Sequence, residues 1–405
     1  MSFLNLLRHE PRSIAFGFLY TFGSSPGQTF FISIFVPSIM ASLAIGIAEF
    51  SALYALATVA AALALPFLGR IIDRVDLVHF GAATGLMLTI ACAGIAAATG
   101  PVILLLSLFG LRLFGQGLMS HTAMTAAARY FDRDRGKALA LANLGHAAGE
   151  ALLPLAAVFL IALIGWRYSF LASGIVLGVL TAVTAAYQVR LHREFRFPAS
   201  SLGGSRAARR KAAIWRIPYF WMVAPVMMAA PFTLTALIFH QGWIAQATGM
   251  SLALFAASFV AFALAQVPGT VIAGPLVDRF SGRRLLPFHL LPGILGIATL
   301  AGFQTVWAVL LYMTLTGLSN GFGGTLRNAA IAEMVDPAHM GAARSFATAM
   351  MVLSTAVGPA AFGLLIVAGF DVTALLWTAA AIFAATSILG LAANAGRLQA
   401  NVGRD

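Results

Sequence analysis

Arg112 needs an explanation, because it lies in the middle of the apolar run LLLSLFGLRLFGQGLMSH, residues 104–121. If this run crosses a bilayer, an arginine at its centre costs at least about 2.5–3.5 kcal/mol on insertion scales. A carboxylate at the same depth would offset that cost. Glu150 lies near the middle of the next apolar run, so we expect it to pair with Arg112, and Gln116 to add a hydrogen bond one turn along.

Glu150 also belongs to a polar group whose spacing suits proton transfer. Asn143, His146 and Glu150 stand at i, i+3 and i+7, which places them on one helical face. Burial favours a protonated carboxyl group, whereas a nearby arginine favours the charged form. An anion bound at Arg112 would remove the second effect and promote protonation of Glu150, and His146 could pass the proton on. Two alternatives stay open: an ion pair that only fixes helix register, and a hydrogen-bonded core histidine.

Neutral polar residues cluster in YTFGSSPGQTFF, residues 20–31, around a Gly/Pro interruption. Interruptions at matching positions of a repeat point to a transporter-like binding site, although small residues also allow close helix packing. With the charged and amide side chains of other segments, the predicted substrate-binding residues are Arg112, Gln116, Tyr20, Ser24, Gln28, Thr233, Asn320 and Arg327.

Three further ionisable residues of the apolar runs have more than one reading. His121 lies nine residues past Arg112, which places it on roughly the opposite face of the helix, so we expect it to pack against another helix. His240 would line an outer vestibule or sit at the membrane interface beside Trp243. Arg327 would either attract anions or pair with Glu333, and the sequence does not separate these alternatives.

Composition identifies the environment of these residues. Hydrophobic residues make up 60% of the 405 positions, charged residues only 9%, and the mean hydropathy is +0.91. Soluble domains carry about 25% charge, so this is an integral membrane protein. The single cysteine, Cys92, excludes an intramolecular disulfide and a cysteine metal cluster. Because no catalytic motif is present, we expect no enzymatic activity, and we expect neither a cofactor nor a metal.

Punctuation by charges, glycine and proline divides the chain into twelve apolar segments. They lie near 13–42, 47–69, 77–98, 101–128, 137–163, 166–189, 217–246, 251–276, 284–303, 305–332, 341–368 and 371–395. An even number of crossings places both termini on one side. That side holds nearly all the arginines and lysines, so it is predicted to be cytoplasmic. The net charge of +12 is therefore a topology signal, and the basic linker 190–216 orients the protein on the membrane rather than binding nucleic acid.

The chain repeats itself at a shift of 205 residues. Gly69 then falls on Gly274, Asp73 on Asp278 and Arg74 on Arg279, and further matches join Pro26 with Pro231 and Pro154 with Pro359. Six segments are thus followed by six similar ones. The predicted domains are an N-terminal bundle over 1–189, the linker over 190–216 and a C-terminal bundle over 217–405.

Several motifs carry a family resemblance. GRIIDRVD (69–76) and GPLVDRFSGRR (274–284) resemble the G-x-x-x-D-R-x-G-R-R signature of the major facilitator superfamily. RLFGQG (112–117) looks like its R-x-x-x-G-x-G motif, and AVGPAAFG (356–363) is similar to its G-P-x-x-x-G contacts. The resemblance implies an all-α membrane protein with twelve transmembrane helices in two pseudo-symmetric six-helix bundles and cytoplasmic termini.

A narrower resemblance concerns the substrate. RYFDRDRGKALALANLG (129–145) followed by GWRYSF (165–170) is similar to the bacterial monocarboxylate and oxalate–formate type branch. It implies a small carboxylate substrate.

The repeated signature also predicts a conformational latch, formed by Asp73, Arg74, Asp278 and Arg279. Asp73 at a helix end could accept bonds from a neighbouring helix N-terminus and from Arg74 or Arg129. Such bonds would hold the two halves together on the cytoplasmic side. The alternative is simple capping of a loop.

Together these features lead us to expect a secondary transporter in the bacterial cytoplasmic (inner) membrane. It would move a small organic anion by alternating access, coupled to protons, and would act as a monomer in the lipid bilayer. The alternative is an exporter of drugs or amphipathic metabolites by proton antiport, in which Glu150 would bind a cationic compound.

Overall fold

The computed structural model of the protein describes residues 3–131, 134–189, 214–335 and 340–402. Within those ranges every regular element is helical, and the chain divides into two compact units, Met1–Leu202 and Gly203–Asp405. Of the predicted linker, residues 190–213 lie outside the described residues, and Ile214–Arg216 form a turn of 3-10 helix.

The described part of the first unit is built from α-helices joined by short irregular elements. A 3-10 turn, Ser25–Gly27, interrupts the first crossing segment, and a second, Arg70–Asp73, follows the helix that ends at Gly69. A π-helix, Leu111–Met119, lies between the helices that end at Gly110 and begin at Ser120. The α-helices are α1 (Phe3–His9), α2 (Pro11–Gly23), α3 (Thr29–Leu43), α4 (Ile47–Gly69), α5 (Leu77–Ala96), α6 (Pro101–Gly110), α7 (Ser120–Tyr130) and α8 (Arg135–Val189).

The described part of the second unit contains helices of 4 to 31 residues. A 3-10 helix, Leu286–Leu290, lies between the helices that end at Leu285 and begin at Leu291. The α-helices are α9 (Pro218–Phe239), α10 (Gln241–Ala247), α11 (Leu252–Phe280), α12 (Gly282–Leu285), α13 (Leu291–Phe303), α14 (Val306–Ala332), α15 (Met340–Val367) and α16 (Val372–Val402).

Ten segments of the described residues are long and apolar enough to cross a membrane. The difference from the twelve predicted segments has two causes. The fifth and sixth form the single span Arg135–Thr184, which Gly165 divides through a backbone φ of 77°. The tenth is α14, a helix made more polar by Arg327 and two asparagines. The chain is a multi-pass membrane protein, and the exposed apolar side chains of its helices suit contact with lipid.

The predicted interruption occurs in the first unit alone. Span one breaks at Pro26, but α9 runs unbroken from Pro218 to Phe239 through Pro231. The local sequences explain the difference. Gly27 follows Pro26 and leaves room for the Leu111 carbonyl to approach the broken segment, whereas Pro231 is preceded by two alanines, the best helix formers.

Small residues bring α8 against α2 in the first unit. A Cβ at Gly145 would overlap the carbonyl oxygen of Phe18, and a Cβ at Gly149 would overlap Ser25 Oγ. Thr21 Oγ1 donates a hydrogen bond to the Ala142 carbonyl across the same contact. This close packing places Glu150, the residue after Gly149, beside the break in span one.

Candidate functional site

The break in span one exposes backbone groups inside the first unit. Helix α2 ends at Gly23, and Gln28 is extended with φ −89° and ψ 149° before α3 begins. Pro26 has no N–H to give to the helical ladder. A broken helix within a membrane protein must satisfy its freed carbonyl groups from other parts of the chain. Arg112 performs this role for the carbonyl group of Gly27.

Arg112 is buried, 2% exposed, and binds the broken segment directly. Its Nη1 donates to the Gly27 carbonyl oxygen at 3.0 Å, and its Nε donates to Thr58 Oγ1 at 3.0 Å. The guanidinium carbon lies 5.0 Å from the centre of the Tyr54 ring, a cation–π contact. Nη2 is buried and has no hydrogen-bond partner in the described protein. The burial cost of Arg112 is therefore offset mainly by neutral acceptors and an aromatic ring.

The Arg112 segment is a π-helix rather than the α-helix that the sequence predicted. The wider turn changes which side chains share a face, and no hydrogen bond between Gln116 and Arg112 occurs in the described structure. Gly27 and Gly115 bring the two irregular elements into backbone contact, since a Cβ at Gly115 would lie 2.7 Å from the Gly27 Cα. Two departures from regular helix thus meet at Arg112.

Glu150 does not pair with Arg112. Its side chain is 6% exposed, its Oε2 has no hydrogen-bond partner, and no ion pair joins it to Arg112 among the described side chains. The expected ion pair is therefore wrong for this structure. The physical reason is that the guanidinium is held by hydrogen bonds to Gly27 and Thr58. Glu150 instead lies next to Gly149, where α8 packs against Ser25.

The predicted polar face of α8 becomes more buried along its length. Asn143 is exposed, His146 is half-buried and Glu150 is buried. The His146 ring meets the Phe30 ring edge-on, with 5.6 Å between ring centroids. A role for His146 in proton transfer stays a prediction.

Two of the predicted polar residues of span one lie together at the break. Ser24 Oγ donates to the Thr21 carbonyl at 2.6 Å and accepts from Gln28 Nε2 at 3.3 Å. Tyr20 instead stacks on Phe16, with 4.1 Å between the ring centroids. Ser24 and Gln28 are thus parts of one polar cluster, and Tyr20 belongs to the helix packing.

In the second unit, Thr233 and Asn320 have different surroundings. Thr233 is fully buried on α9, and its hydroxyl has no partner in the described protein. Asn320 Nδ2 donates to Gln266 Oε1 at 3.0 Å, which ties α14 to α11. The Asn320 amide is therefore already used in helix packing.

Arg327 lines a cavity of about 200 Å³ between α9, α14 and α15. Among the described residues around it, two are arginines and none is acidic. The lining also contains an amide, a hydroxyl and three methionines. The full set of described lining residues is Met227, Met228, Gly324, Arg327, Asn328, Ile331, Arg344, Ala347, Thr348 and Met351. The arrangement offers positive charge and hydrogen-bond donors in a small, partly apolar space.

Glu333 pairs with Arg283. Of the two alternatives for Arg327, this rules out the ion pair with Glu333 and leaves the attraction of anions. Glu333 Oε2 lies 3.0 Å from Arg283 Nε and accepts from Ser281 Oγ at 2.7 Å, while Oε1 accepts from the Gly282 backbone N–H. Partial burial would raise the pKa of Glu333, but these hydrogen bonds outweigh it and hold the pKa below its ordinary value. The carboxylate is thus committed to the α11–α12 corner, and Arg327 faces the cavity.

We expect Glu333→Gln to lower the free energy of unfolding by about 1 kcal/mol at pH 7. This is the usual contribution of a hydrogen bond to a charged group, reduced because solvent screens a partly exposed site. Because the folded pKa of Glu333 is lowered, its stabilisation is present above the unfolded pKa and is lost as pH falls through the folded pKa. Thermal unfolding of the detergent-solubilised protein should therefore depend less on pH below about 5 in the variant. Asp278→Asn, at an exposed site, is the control, and an equal loss there would contradict the prediction.

The first copy of the latch signature is described only in part. The Asp73 side chain lies outside the described residues, and Arg74 is exposed. Arg129 donates from both Nη atoms to the Ile72 carbonyl at 3.3 Å, which ties α7 to this turn. Asp76, where the signature has glycine, caps α5 by accepting from the Val78 N–H at 2.8 Å.

In the second copy, Asp278 and Arg279 are exposed, and Arg279 lies over the Phe280 ring at 5.1 Å. Arg283, another residue of this signature, pairs with Glu333, which lies outside the signature. The latch role of Asp278 and Arg279 stays a prediction.

His240 ties two helices of the second unit together. It is 1% exposed, and its Nε2 donates to the Pro359 carbonyl oxygen at 2.9 Å, joining the end of α9 to α15. This contact favours a packing role over a place at the membrane interface. His121 is exposed and lies beside Gly69.

Sequence reasoning missed four residues around the two arginines. Tyr54 and Thr58 contact Arg112 from α4, and Arg344 and His289 lie near Arg327. Tyr54 and Thr58 stand at i and i+4, a spacing that could have indicated a shared polar face. His289 lies inside the predicted segment 284–303 but was not considered among its ionisable residues, and no sequence pattern links it to Arg327.

The fold and its sequence match known proteins. The chain matches the family described as Major Facilitator Superfamily over residues 17–243 and 222–396. A bacterial homologue of the human lysosomal transporter Spinster, inward-facing and unoccupied, is similar with a TM-score of 0.69 and 15% identity over 94% of this chain and 93% of that one. The nucleoside transporter NupG is similar with a TM-score of 0.71 and 14% identity over 95% and 98%. At such identities these structures show a common fold. No curated protein sequence matches the chain.

Proposed function

This chain belongs to the major facilitator superfamily, whose members are transporters and not enzymes, and on that basis we propose that it moves a small organic anion across the cytoplasmic membrane. Transport would proceed by alternating access of two six-helix halves with cytoplasmic termini, coupled to protons. The narrower resemblance to the monocarboxylate and oxalate–formate type branch supports a carboxylate. We expect the bacterial inner membrane as the location and a monomer as the working form.

The cavity at Arg327 is the observation that best supports an anionic substrate. Two arginines and no acidic residue line the described part of this space, and its volume of about 200 Å³ suits a small carboxylate. A guanidinium group binds a carboxylate through two parallel hydrogen bonds, which gives both affinity and orientation. Asn328 and Thr348 supply neutral groups for the rest of the molecule.

The first unit would contribute the groups at the broken helix. Discontinuous helices near the membrane centre form the substrate sites of many secondary transporters. Arg112 keeps one buried Nη2 without a partner, and Ser24 and Gln28 lie at the same break. We assign these donors to substrate binding, with Gln116, Tyr20, Thr233 and Asn320 as secondary candidates.

Glu150 is the proposed carrier of a proton, with His146 as its relay. Ionisable groups inside membrane proteins usually mark substrate or proton pathways. A buried carboxylate without a cation nearby favours its protonated form, and it can lose the proton when its surroundings change. The latch formed by Asp73, Arg74, Asp278 and Arg279 would stabilise one conformation of the cycle.

The second candidate function is export of a cationic or amphipathic compound by proton antiport. It is favoured by one observation, the absence of any ion pair between Glu150 and the described arginines. A buried carboxylate in that state can bind either a proton or an organic cation, and competition between the two would drive export.

The two functions are separated by binding to the purified protein. We expect one or more of acetate, lactate, succinate and benzoate to bind saturably, and Arg327→Gln to weaken that binding at least about tenfold, the loss of one charged contact. Arg344→Gln should weaken it less, and Arg284→Gln, at an exposed site outside the cavity, should have no effect. Saturable binding of tetraphenylphosphonium without any anion binding would contradict the anion proposal and support export.

A further inference from the structure

His289 and Arg327 share a recess beside Gly323 in the second unit. A Cβ at Gly323 would lie 3.1 Å from His289 Nε2 and 3.2 Å from Arg327 Nη1. His289 is 2% exposed, and its Nε2 and Arg327 Nη1 are each buried without a hydrogen-bond partner in the described protein. Because Gly323 has no side chain, both groups can approach the same point on the surface of α14.

One hydrogen bond orients the His289 ring, and a second holds its backbone in place. Nδ1 bonds to the Leu286 carbonyl oxygen, and Ser319 Oγ donates to the His289 carbonyl at 2.6 Å. A carbonyl oxygen only accepts, so Nδ1 carries the hydrogen and Nε2 of the neutral ring presents a lone pair to the recess. His289 is thus positioned to take up a proton on the side of Arg327.

Arg327 is the charged group that faces this nitrogen. The 3-10 helix of His289 packs against α9, α12, α13, α14 and α16. Helix α13 and the part of α16 with described side chains, residues 372–395, contain no titratable residue. Tyr219 of α9 is bonded to Asn394, and Arg283 of α12 is paired with Glu333, while Arg284 is exposed. Burial opposes protonation of His289 throughout, and Arg327 is the charged group near it whose effect changes when an anion binds.

That charge depends on whether the cavity is occupied. A guanidinium a few ångströms away opposes a second positive charge on His289. An anion bound to Arg327 cancels this repulsion, and protonation of Nε2 then becomes favourable. By thermodynamic reciprocity, a proton on His289 strengthens binding of the anion by the same factor.

We propose that His289 takes up a proton whenever an organic anion binds at Arg327, so that the second unit binds the two together. This inference rests on the proposed function and adds a coupling site to it that is separate from Glu150. The class of ligand is a small carboxylate accompanied by one proton.

The test is the number of protons taken up when the anion binds. Isothermal titration calorimetry with the tightest-binding carboxylate of the four probes, in two buffers of different ionisation enthalpy, gives that number directly. We expect uptake approaching one proton at His289, with affinity falling up to tenfold for each unit of rising pH. His289→Asn keeps an N–H for the Leu286 carbonyl but cannot titrate. It should still bind the anion, with this uptake lost and a flatter pH dependence.

His240→Gln is the matched control, a buried histidine of the same unit, and it should leave proton uptake unchanged. Undiminished uptake in His289→Asn would overturn the inference while leaving the proposed function intact. If the wild-type protein binds none of the four carboxylates between pH 5 and 8, the proposed function itself is wrong, and the inference falls with it.

If His289→Asn does not fold, ¹⁵N-histidine NMR of the His146→Asn variant answers the same question. One imidazole signal should become that of an imidazolium when the carboxylate is added to saturation. Histidine signals that stay unchanged would overturn the inference.

Discussion

Replacing Arg112 by alanine is expected to lower the free energy of unfolding of the first unit by about 2–5 kcal/mol. The Gly27 carbonyl and the Thr58 hydroxyl lose their donor, and a large buried side chain leaves a cavity. The melting temperature of the detergent-solubilised protein should fall by roughly 5–15 °C, and anion binding should be lost with it.

Two further variants separate the contacts of Arg112. Thr58→Val removes one acceptor while keeping the charge, and it should cost about 1 kcal/mol. Arg112→Lys keeps the charge but loses the planar fork that reaches Gly27 and Thr58 together, so it should be intermediate in stability and bind anions at least about tenfold more weakly. A folded Arg112→Lys protein with wild-type anion affinity would restrict Arg112 to holding the broken helix. A melting temperature unchanged in Arg112→Ala would show that these bonds contribute nothing.

Replacing Glu150 by glutamine is expected to lower anion accumulation in proteoliposomes about tenfold at a pH difference of one unit with no membrane potential. Each proton carried with the anion multiplies the accumulation limit about tenfold per pH unit. A pH difference of one unit and a tenfold concentration ratio are each worth about 1.4 kcal/mol. The variant should retain the proton at His289, so accumulation should fall from a limit of about 100-fold to about 10-fold. Counterflow without a gradient should persist, because glutamine matches glutamate in size.

The double variant Glu150→Gln with His289→Asn tests whether the two sites account for all coupling. It should exchange substrate across the membrane and show no pH-driven accumulation. Accumulation by Glu150→Gln at the wild-type level would exclude Glu150 as a carrier. Loss of both accumulation and counterflow with a lower melting temperature would instead assign Glu150 a packing role. No tighter anion binding is expected in Glu150→Gln, because the carboxylate does not occupy Arg112 in the structure.

Several properties of this protein follow from local sequence. Apolar runs of about twenty residues separated by charges dictate membrane-crossing helices, because a bilayer requires that length and internally satisfied backbone groups. The transporter family could be recognised from GRIIDRVD and GPLVDRFSGRR, and the family match confirms it. The break at Ser25–Gly27 was also readable, since proline followed by glycine interrupts a helix locally.

The partners of the buried charges were decided by tertiary structure. Depth along neighbouring segments predicted that Arg112 would meet Glu150, but a π-helix turns the guanidinium toward the Gly27 carbonyl, 85 residues away in sequence. Arg327 and Glu333 stand only six positions apart in sequence, yet Glu333 is bonded to the corner at Arg283 and Arg327 faces a cavity. Helix length depends on residues next to one another in the chain. The acceptor that a long side chain reaches depends on ångström-scale packing between distant segments, which a single sequence does not encode in any local pattern.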